Sequence, residues 1–546
     1  MRCFFFDGDG IEVTFIGLTI TNGYASSSSP DGAYGGAVHT TSTSVSLTFT
    51  SCTISSSSAT YGSGVYVGSS AMLVMDFCTF YYNRGASAGG GLYFSGSSAT
   101  LSHLTFSTNY AAAGGGAYLT TGAVLLVGYA FESNTGSVGL DLFAHSSSAL
   151  TLESSCDSDT YNYGRNLLEC SGCSVPFLPA QYDIQYVFPS PVPTLAPVTS
   201  SSSAPTSATN GTVPVPPLNW CAISTPGIEV DSQNSLAASI VPNRTVYLSA
   251  DVYLSSTLYL LIGVNERLDG LVVDGGGQYK VDGQDSVRCL FLYGSGMQVG
   301  LKDLTVTNCS ISSGSTHGNY GGAIYVGGGA VLEMDGCTVS NSKTASYGQG
   351  AGIYVDEATL ILVNTVIEFN VMHYGKGAGV YLTSSSVLTM AGGSLKNNFA
   401  RSAGCYTAAT MEGGGLYVSN GALATITDGA SIENNIAYRG GGIYVASYGE
   451  LVLQNASLIG NSYTKVFSGS TYTSWYRSGC SAGYDYRSYG GGIYADSNAK
   501  VTLVGSIVKS NAAYYYGGGV YFSSGTSASI HESKFSSNYA RYRGIQ

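Results

Sequence analysis

Charge is scarce in this 546-residue sequence. Asp, Glu, Lys and Arg make up only 10%, with 21 basic against 33 acidic residues and a formal net charge of -12. Without a positive surplus the chain cannot displace counterions from a phosphate backbone, which excludes a basic nucleic-acid binder. Lysine and glutamate are too few, and the 74 glycines too many, for large helical domains. No run approaches the ~20 apolar residues of a membrane-spanning helix. Proline is nearly confined to one place, since ten of the thirteen lie between Ser174 and Trp220. Glycine lacks the every-third spacing of collagen. Hydrophobic residues reach 44%, enough to bury a core, so a disordered charged tail is excluded as well. What remains is a turn-rich, extracellular-looking β protein.

Its main signal is an internal repeat. Small-Gly-aliphatic-Tyr recurs as Gly64-Val-Tyr66, Gly91-Leu-Tyr93, Gly116-Ala-Tyr118, Gly352-Ile-Tyr354, Gly379-Val-Tyr381, Gly415-Leu-Tyr417, Gly442-Ile-Tyr444, Gly492-Ile-Tyr494 and Gly519-Val-Tyr521. The tyrosines are 27 residues apart from Tyr66 to Tyr93, Tyr354 to Tyr381, Tyr417 to Tyr444 and Tyr494 to Tyr521. Between them falls apolar-x-x-Asn, as in Phe80–Asn83, Phe106–Asn109, Ile367–Asn370, Leu395–Asn398, Ile432–Asn435 and Leu458–Asn461. Short alternating segments such as Lys500–Val504 read as strands, and glycine interrupts each unit too often for a useful helix. Strands with the same phase in every unit stack as rungs of a parallel solenoid, each coil adding about 4.8 Å. Asparagines at one corner are expected to bond up and down as a ladder, while glycines turn the chain at another.

With Gly35-Gly-Ala-Val38, Gly321-Gly-Ala-Ile324 and the Phe-x-x-Asn series, the repeats resemble those of chlamydial polymorphic outer-membrane proteins. More widely, residues 1–150 and 265–546 resemble right-handed parallel β-helix proteins of the pectin-lyase type. The resemblance implies an all-β fold of two right-handed parallel β-helices with ~27-residue coils, and a surface adhesin as the role.

The halves are duplicates: Arg2-Cys-Phe-Phe-Phe matches Arg288-Cys-Leu-Phe-Leu at an offset of 286, as Gly35 matches Gly321. The expected organisation is a first β-helix over 1–173 with a cysteine-containing exit, a Pro/Ser/Thr-rich linker over 174–220, a lead-in region over 221–286 and a second β-helix over 287–546. Both helices read as truncated, because Met1 starts inside a repeat and Gln546 stops where a glycine triplet is due.

Several groups are weighed for chemistry. Asp269, Asp274, Asp282 and Asp285 crowd around a glycine triplet, a pattern open to a calcium site or catalytic carboxylates but more simply a solvated turn. The short motifs of polygalacturonase-like enzymes are missing. Histidines 39, 103, 145, 317, 373 and 531 share neither spacing nor phase and read as surface or turn residues rather than metal ligands. Cys156, Cys170 and Cys173 read as a disulfide-stabilised exit, and Cys52 and Cys78 as small members of an inward column with Leu18, Leu104 and Leu304. Asn210, Asn243, Asn308 and Asn455 begin acceptor sequons for glycosylation. The motif tyrosines are expected to stack as a column.

The reading is a secreted or cell-surface, non-enzymatic structural or adhesive protein that binds glycans or other surface molecules, without cofactor or metal. A polysaccharide-active lyase, hydrolase or epimerase on the same scaffold is the rival. Irregular Thr/Ser rows make an ice- or mineral-binding face the weakest option. Two insertions, between Tyr381 and Tyr417 and between Tyr444 and Tyr494, leave the solenoid at the same edge and carry one cysteine each. A Cys405–Cys480 bridge is expected between them, clamping a contact patch of Tyr406, Tyr472, Tyr476, Tyr484 and Tyr486. Peptide mapping without reductant checks this bridge: alkylation of both thiols excludes it.

Overall fold

A computed structural model describes residues 3–6, 8–26, 33–40, 44–68, 70–153, 168–171, 228–261, 270–312, 318–401, 411–463 and 488–540. The expected exit cysteines Cys156 and Cys173, the sequon at Asn210, Asp269, the Cys405–Cys480 pair and the five tyrosines of the insertions lie outside these residues. Cys170 falls in the backbone strand Leu168–Ser171, which pairs with Leu142–His145 as one further rung.

A regular coil contributes three short strands. Ile353–Asp356, Thr359–Val363 and Val366–Glu368 pair in parallel and in register with Val380–Leu382, Val387–Ala391 and Ser394–Lys396 of the next coil. Alternation decides which side chains enter: Leu360, Leu362 and Ile367 are fully buried while their neighbours face out. The same positions repeat from coil to coil, so Ile353, Val380, Leu416, Ile443 and Ile493 form one inward column of a continuous core.

Two turn devices keep the coils in phase. At the glycine corner Gly377 has φ +64°, and a Cβ there would sit 2.4 Å from the Val380 carbonyl oxygen, so only glycine fits. At the opposite corner buried asparagines bridge successive coils. The Asn398 amide N–H and its Nδ2 both donate to Asn435 Oδ1 at 3.0 Å, and Nδ2 also donates to the Ile367 carbonyl at 2.9 Å. The pattern runs from Asn370 through Asn398, Asn435, Asn461 and Asn511 to Asn538, and again from Asn83 through Asn109 to Asn134. Cys52 and Cys78 are inward and buried as their phase requires, with the Cys52 amide 3.4 Å from Cys78 Sγ.

The lead-in coils bring in the one described α-helix, Gln233–Ala238, capped by Ser232, which lays Leu236 over the end of the core. Sixteen successive parallel pairings connect Ile228–Val230 at this end to Leu142–Glu153 at the other. The order is not that of the chain. Glu12–Ile16 of the first coil pairs with Ser527–His531 of the last described coil, and the same strand pairs on its other side with Ser46–Thr50. The two runs of coils therefore share one hydrophobic core, and Phe4 packs 4.6 Å from Phe535 across the joint.

Substituting Asn435→Ala would strand two buried donors of Asn398, at about 1–3 kcal/mol for each unsatisfied group. A loss of about 2–4 kcal/mol in urea unfolding is expected, against under ~0.5 kcal/mol for Ala at an exposed outward position such as Thr389.

Candidate functional site

The central residue of each Gly-aliphatic-Tyr strand faces outward, and parallel register stacks these rings. Phe291, Tyr325, Tyr354, Tyr381, Tyr417, Tyr444, Tyr494 and Tyr521 follow one another at centroid distances of 4.6–5.3 Å. In the first run Tyr66, Tyr93, Tyr118 and Phe143 continue the column at 4.8–5.2 Å. His39 corrects the reading of the histidines as surface residues. In-register pairing places it in the column, 5.2 Å from Phe5 and 5.1 Å from Tyr66, and it is 1% exposed.

The residue immediately before each corner glycine lines one side of the column. Gln349, Lys376, Glu412, Arg439, Tyr489 and Tyr516 follow one another there. Glu412 is buried between two cations, with Lys376 Nζ 2.9 Å and Arg439 Nη1 3.5 Å from its oxygens. Lys376 Nζ also donates to Tyr417 Oη at 3.3 Å, and the Arg439 guanidinium lies 5.6 Å from the Tyr494 ring centre. On the other side Tyr325 donates to Asp356, and Tyr444 donates to Asp496 at 2.9 Å. This charged row was not recognised from the sequence. Aligning coils on the corner glycine would have exposed it, because Lys376, Glu412 and Arg439 then fall in one file.

Burial pushes the column phenols up: Tyr66, Tyr381 and Tyr494 to about 12, and Tyr354, Tyr417 and Tyr444 further in the same direction. Nearby carboxylates add to the rise at Tyr354, Tyr417 and Tyr444. These hydroxyls therefore stay protonated at neutral pH.

The column surfaces at the lead-in end. Tyr259 is the register partner of Phe291 and is 45% exposed, and Tyr293, two residues along, is 48% exposed. Tyr293 lies over Gly327 and Gly328, where any Cβ would stand within 3.1 Å of its ring. Beneath Phe291 sits Arg288, 2% exposed, its Nε and Nη2 donating to the Gly321 and Tyr320 carbonyls and its guanidinium 5.3 Å from the Phe291 ring centre. Burial lowers its pKa to about 10.

The acidic group of the lead-in region is dispersed. Asp274 faces Lys302 at 3.6 Å, Asp285 faces Lys343 at 2.8 Å, and Asp282 faces Lys280 at 2.9 Å. Lys280 also has Asp251 at 3.9 Å. Burial works to raise Asp282, but the Gln284 amide, Lys280 and Asn308 outweigh it and hold it below the usual carboxylate range. Among the described residues no group of three His, Cys, Asp or Glu side chains is placed to hold a metal ion.

Asn308, one of the sequon residues, spends its Nδ2 on Asp282 Oδ2 at 3.0 Å, while Asn243 and Asn455 are exposed at turns. Next to it Cys309 forms a disulfide with Cys289, Cα–Cα 5.6 Å. Sequence reasoning missed this bridge, although the duplication carries the signal. The counterpart of Cys289 is Cys3, but that of Cys309 is Gly23, so Cys3 remains a buried thiol pushed up to about 11.

Two stretches, residues 35–175 and 265–428, match the family model of the right-handed β-helix region. They cover more than half of the chain, and the protein belongs to that family. No curated protein matches it. No helix among the described residues is long and apolar enough to cross a membrane.

Two outcomes follow. A tyrosine whose folded pKa is raised contributes stability that is complete below the unfolded value of 10.0 and is lost as pH rises through the folded value near 12. The column tyrosines are expected to ionise only as the protein unfolds, their tyrosinate absorbance rising together with loss of the β circular-dichroism signal; ionisation of the column with the fold intact would contradict its burial. Reduction of Cys289–Cys309, which closes 20 residues, is expected to cost about 3 kcal/mol in urea unfolding.

Proposed function

We propose that the chain is part of a secreted or cell-surface adhesive β-helix whose aromatic flank binds glycans without turning them over. The observation that carries this reading is the emergence of the buried aromatic column at Tyr259 and Tyr293. Two exposed rings there sit on a platform made rigid by Phe291, Tyr325 and Arg288. Flat rings with a hydroxyl rim stack on sugar faces and bond their hydroxyls. The charges along the flank are already committed, Glu412 to two cations and Asp356 and Asp496 to phenols, which suits weakly charged ligands. Extracellular placement fits the disulfide between Cys289 and Cys309.

A polysaccharide-active enzyme is the second reading, favoured by one observation: Asp251 and Asp282 share Lys280, which places two carboxylates beside one cation. Against it, Asp282 is buried and already accepts from the Gln284 amide, Lys280 and Asn308.

Glycan-array screening followed by titration separates the two. Binding without release of reducing ends or unsaturated products is expected, with Tyr259→Ala and Tyr293→Ala each weakening it about five-fold, the equivalent of ~1 kcal/mol per ring. Product release abolished by Asp282→Asn would establish the enzyme instead.

A further inference from the structure

We propose that the tyrosine column of the second run is a path for oxidising equivalents: the loss of one electron from a phenol inside the stack is passed along it to Tyr293, at the surface.

Three features of the column carry this. The first is overlap. From Tyr354 through Tyr381, Tyr417 and Tyr444 to Tyr494, successive rings lie within 9° of parallel at centroid distances of 4.8–5.3 Å. An electron can therefore move by short contact steps, which is far faster than one tunnelling step over the whole length. The five register steps from Tyr325 to Tyr494 span about 24 Å. The second is shelter. Every tyrosine of the column from Tyr325 to Tyr521 is at most 8% exposed, so an oxidised ring is kept from water and from other molecules. The third is the placing of bases. A buried phenol gives up an electron readily only if its proton leaves with it, because burial opposes the cation that otherwise forms. Tyr444 donates to Asp496 and Tyr325 donates to Asp356, so two phenols of the stack each have a carboxylate in place to take the proton.

Each step balances in atoms and electrons. A one-electron oxidant, such as a ruthenium(III) polypyridyl complex, takes an electron from Tyr444 by way of Tyr494. The Tyr444 O–H bond breaks and its proton passes to Asp496, leaving a neutral phenoxyl radical, a neutral carboxyl group and the reduced oxidant. Tyr325 then supplies an electron through Tyr354, Tyr381 and Tyr417. Its own proton passes to Asp356, and the proton on Asp496 returns to Tyr444. The three phenols between keep their protons and carry the charge only in passage. Phe291 has no hydroxyl and is too hard to oxidise, but it does not block the exit. Tyr325 and Tyr293 both border Gly327, where a Cβ would stand 2.7 Å from Tyr325 Cε1 and 3.1 Å from Tyr293 Cδ2. Tyr293, 48% exposed, refills Tyr325, and Asp356 returns the proton it holds. The Tyr293 proton is lost to water, which keeps the radical at the surface.

The test uses the full chain with a ruthenium trisbipyridine photo-oxidant coupled through an azido side chain placed at Asn498, an exposed turn position after the Tyr494 strand. Tyr448, exposed at the matching turn of the preceding coil, is replaced throughout by Tyr448→Phe to prevent its direct oxidation. Flash excitation with an external electron acceptor generates ruthenium(III), and a nitroso spin trap marks surface radicals for mapping by mass spectrometry. An adduct on Tyr293 is expected, while an isotope-labelled chain without ruthenium in the same solution stays unmarked. Tyr354→Phe combined with Tyr381→Phe retains the rings and removes two phenols. Loss of the Tyr293 adduct is expected there, with phenoxyl absorbance still formed on the ruthenium side and an unchanged circular-dichroism spectrum. Asp496→Asn keeps a hydrogen-bond acceptor but no base, and is expected to lower that phenoxyl yield. No adduct on Tyr293, equal marking of the ruthenium-free chain, or an adduct undiminished in the double variant each overturns the proposal. An unchanged phenoxyl yield in Asp496→Asn overturns the proton step on which it rests.

Discussion

The buried asparagine ladder is the constraint on which the solenoid depends. A coil of about 27 residues must turn at three places while its backbone stays dry, and a turn inside the core leaves amides with no strand partner. Asparagine resolves this with one side chain: its carbonyl oxygen takes both the backbone and side-chain N–H of the previous coil, and its own Nδ2 reaches the carbonyl of the apolar residue beside that neighbour. Each asparagine is therefore satisfied only if the next coil lies in register. This ties the sequence period to the stacking geometry and leaves little room for slippage.

Where the ladder ends, other devices appear. At the start of the second run Cys309 stands in the asparagine position, and its disulfide to Cys289 fixes the turn that an amide fixes elsewhere. The corresponding coil of the first run has Gly23 there and no bridge; its turn is covered by the coil of Asn538. The two duplicated coils thus meet different fates because of one residue.

Outside the core, ladder formation continues by a different interaction. Parallel register forces like residues above like, which suits aromatic rings and is unfavourable for charges. The tyrosine column accepts this, while the charged file beside it alternates Lys376, Glu412 and Arg439 so that each neighbour is of opposite sign. Carboxylates and cations on this flank are thereby committed to one another or to phenols. Tyr259 and Tyr293 are the exposed rings that continue the buried column of the second run at its lead-in end.

Local sequence by itself determined the repeat, the strand phase, the inward columns and both ladders, because each depends on a residue type recurring at a fixed distance along the chain. It determined the inward thiols of Cys52 and Cys78 for the same reason. It did not determine which coils become neighbours when they are far apart in the chain, as Glu12–Ile16 and Ser527–His531 are. Nor did proximity along the chain decide the lead-in aspartates, which look like a cluster but are separated by strands and taken up singly by Lys302, Lys280 and Lys343. His39 reads as one polar residue among many until in-register pairing sets it between Phe5 and Tyr66. Periodicity fixes what lies one coil away; only the folded stack decides what meets across the ends and along the files.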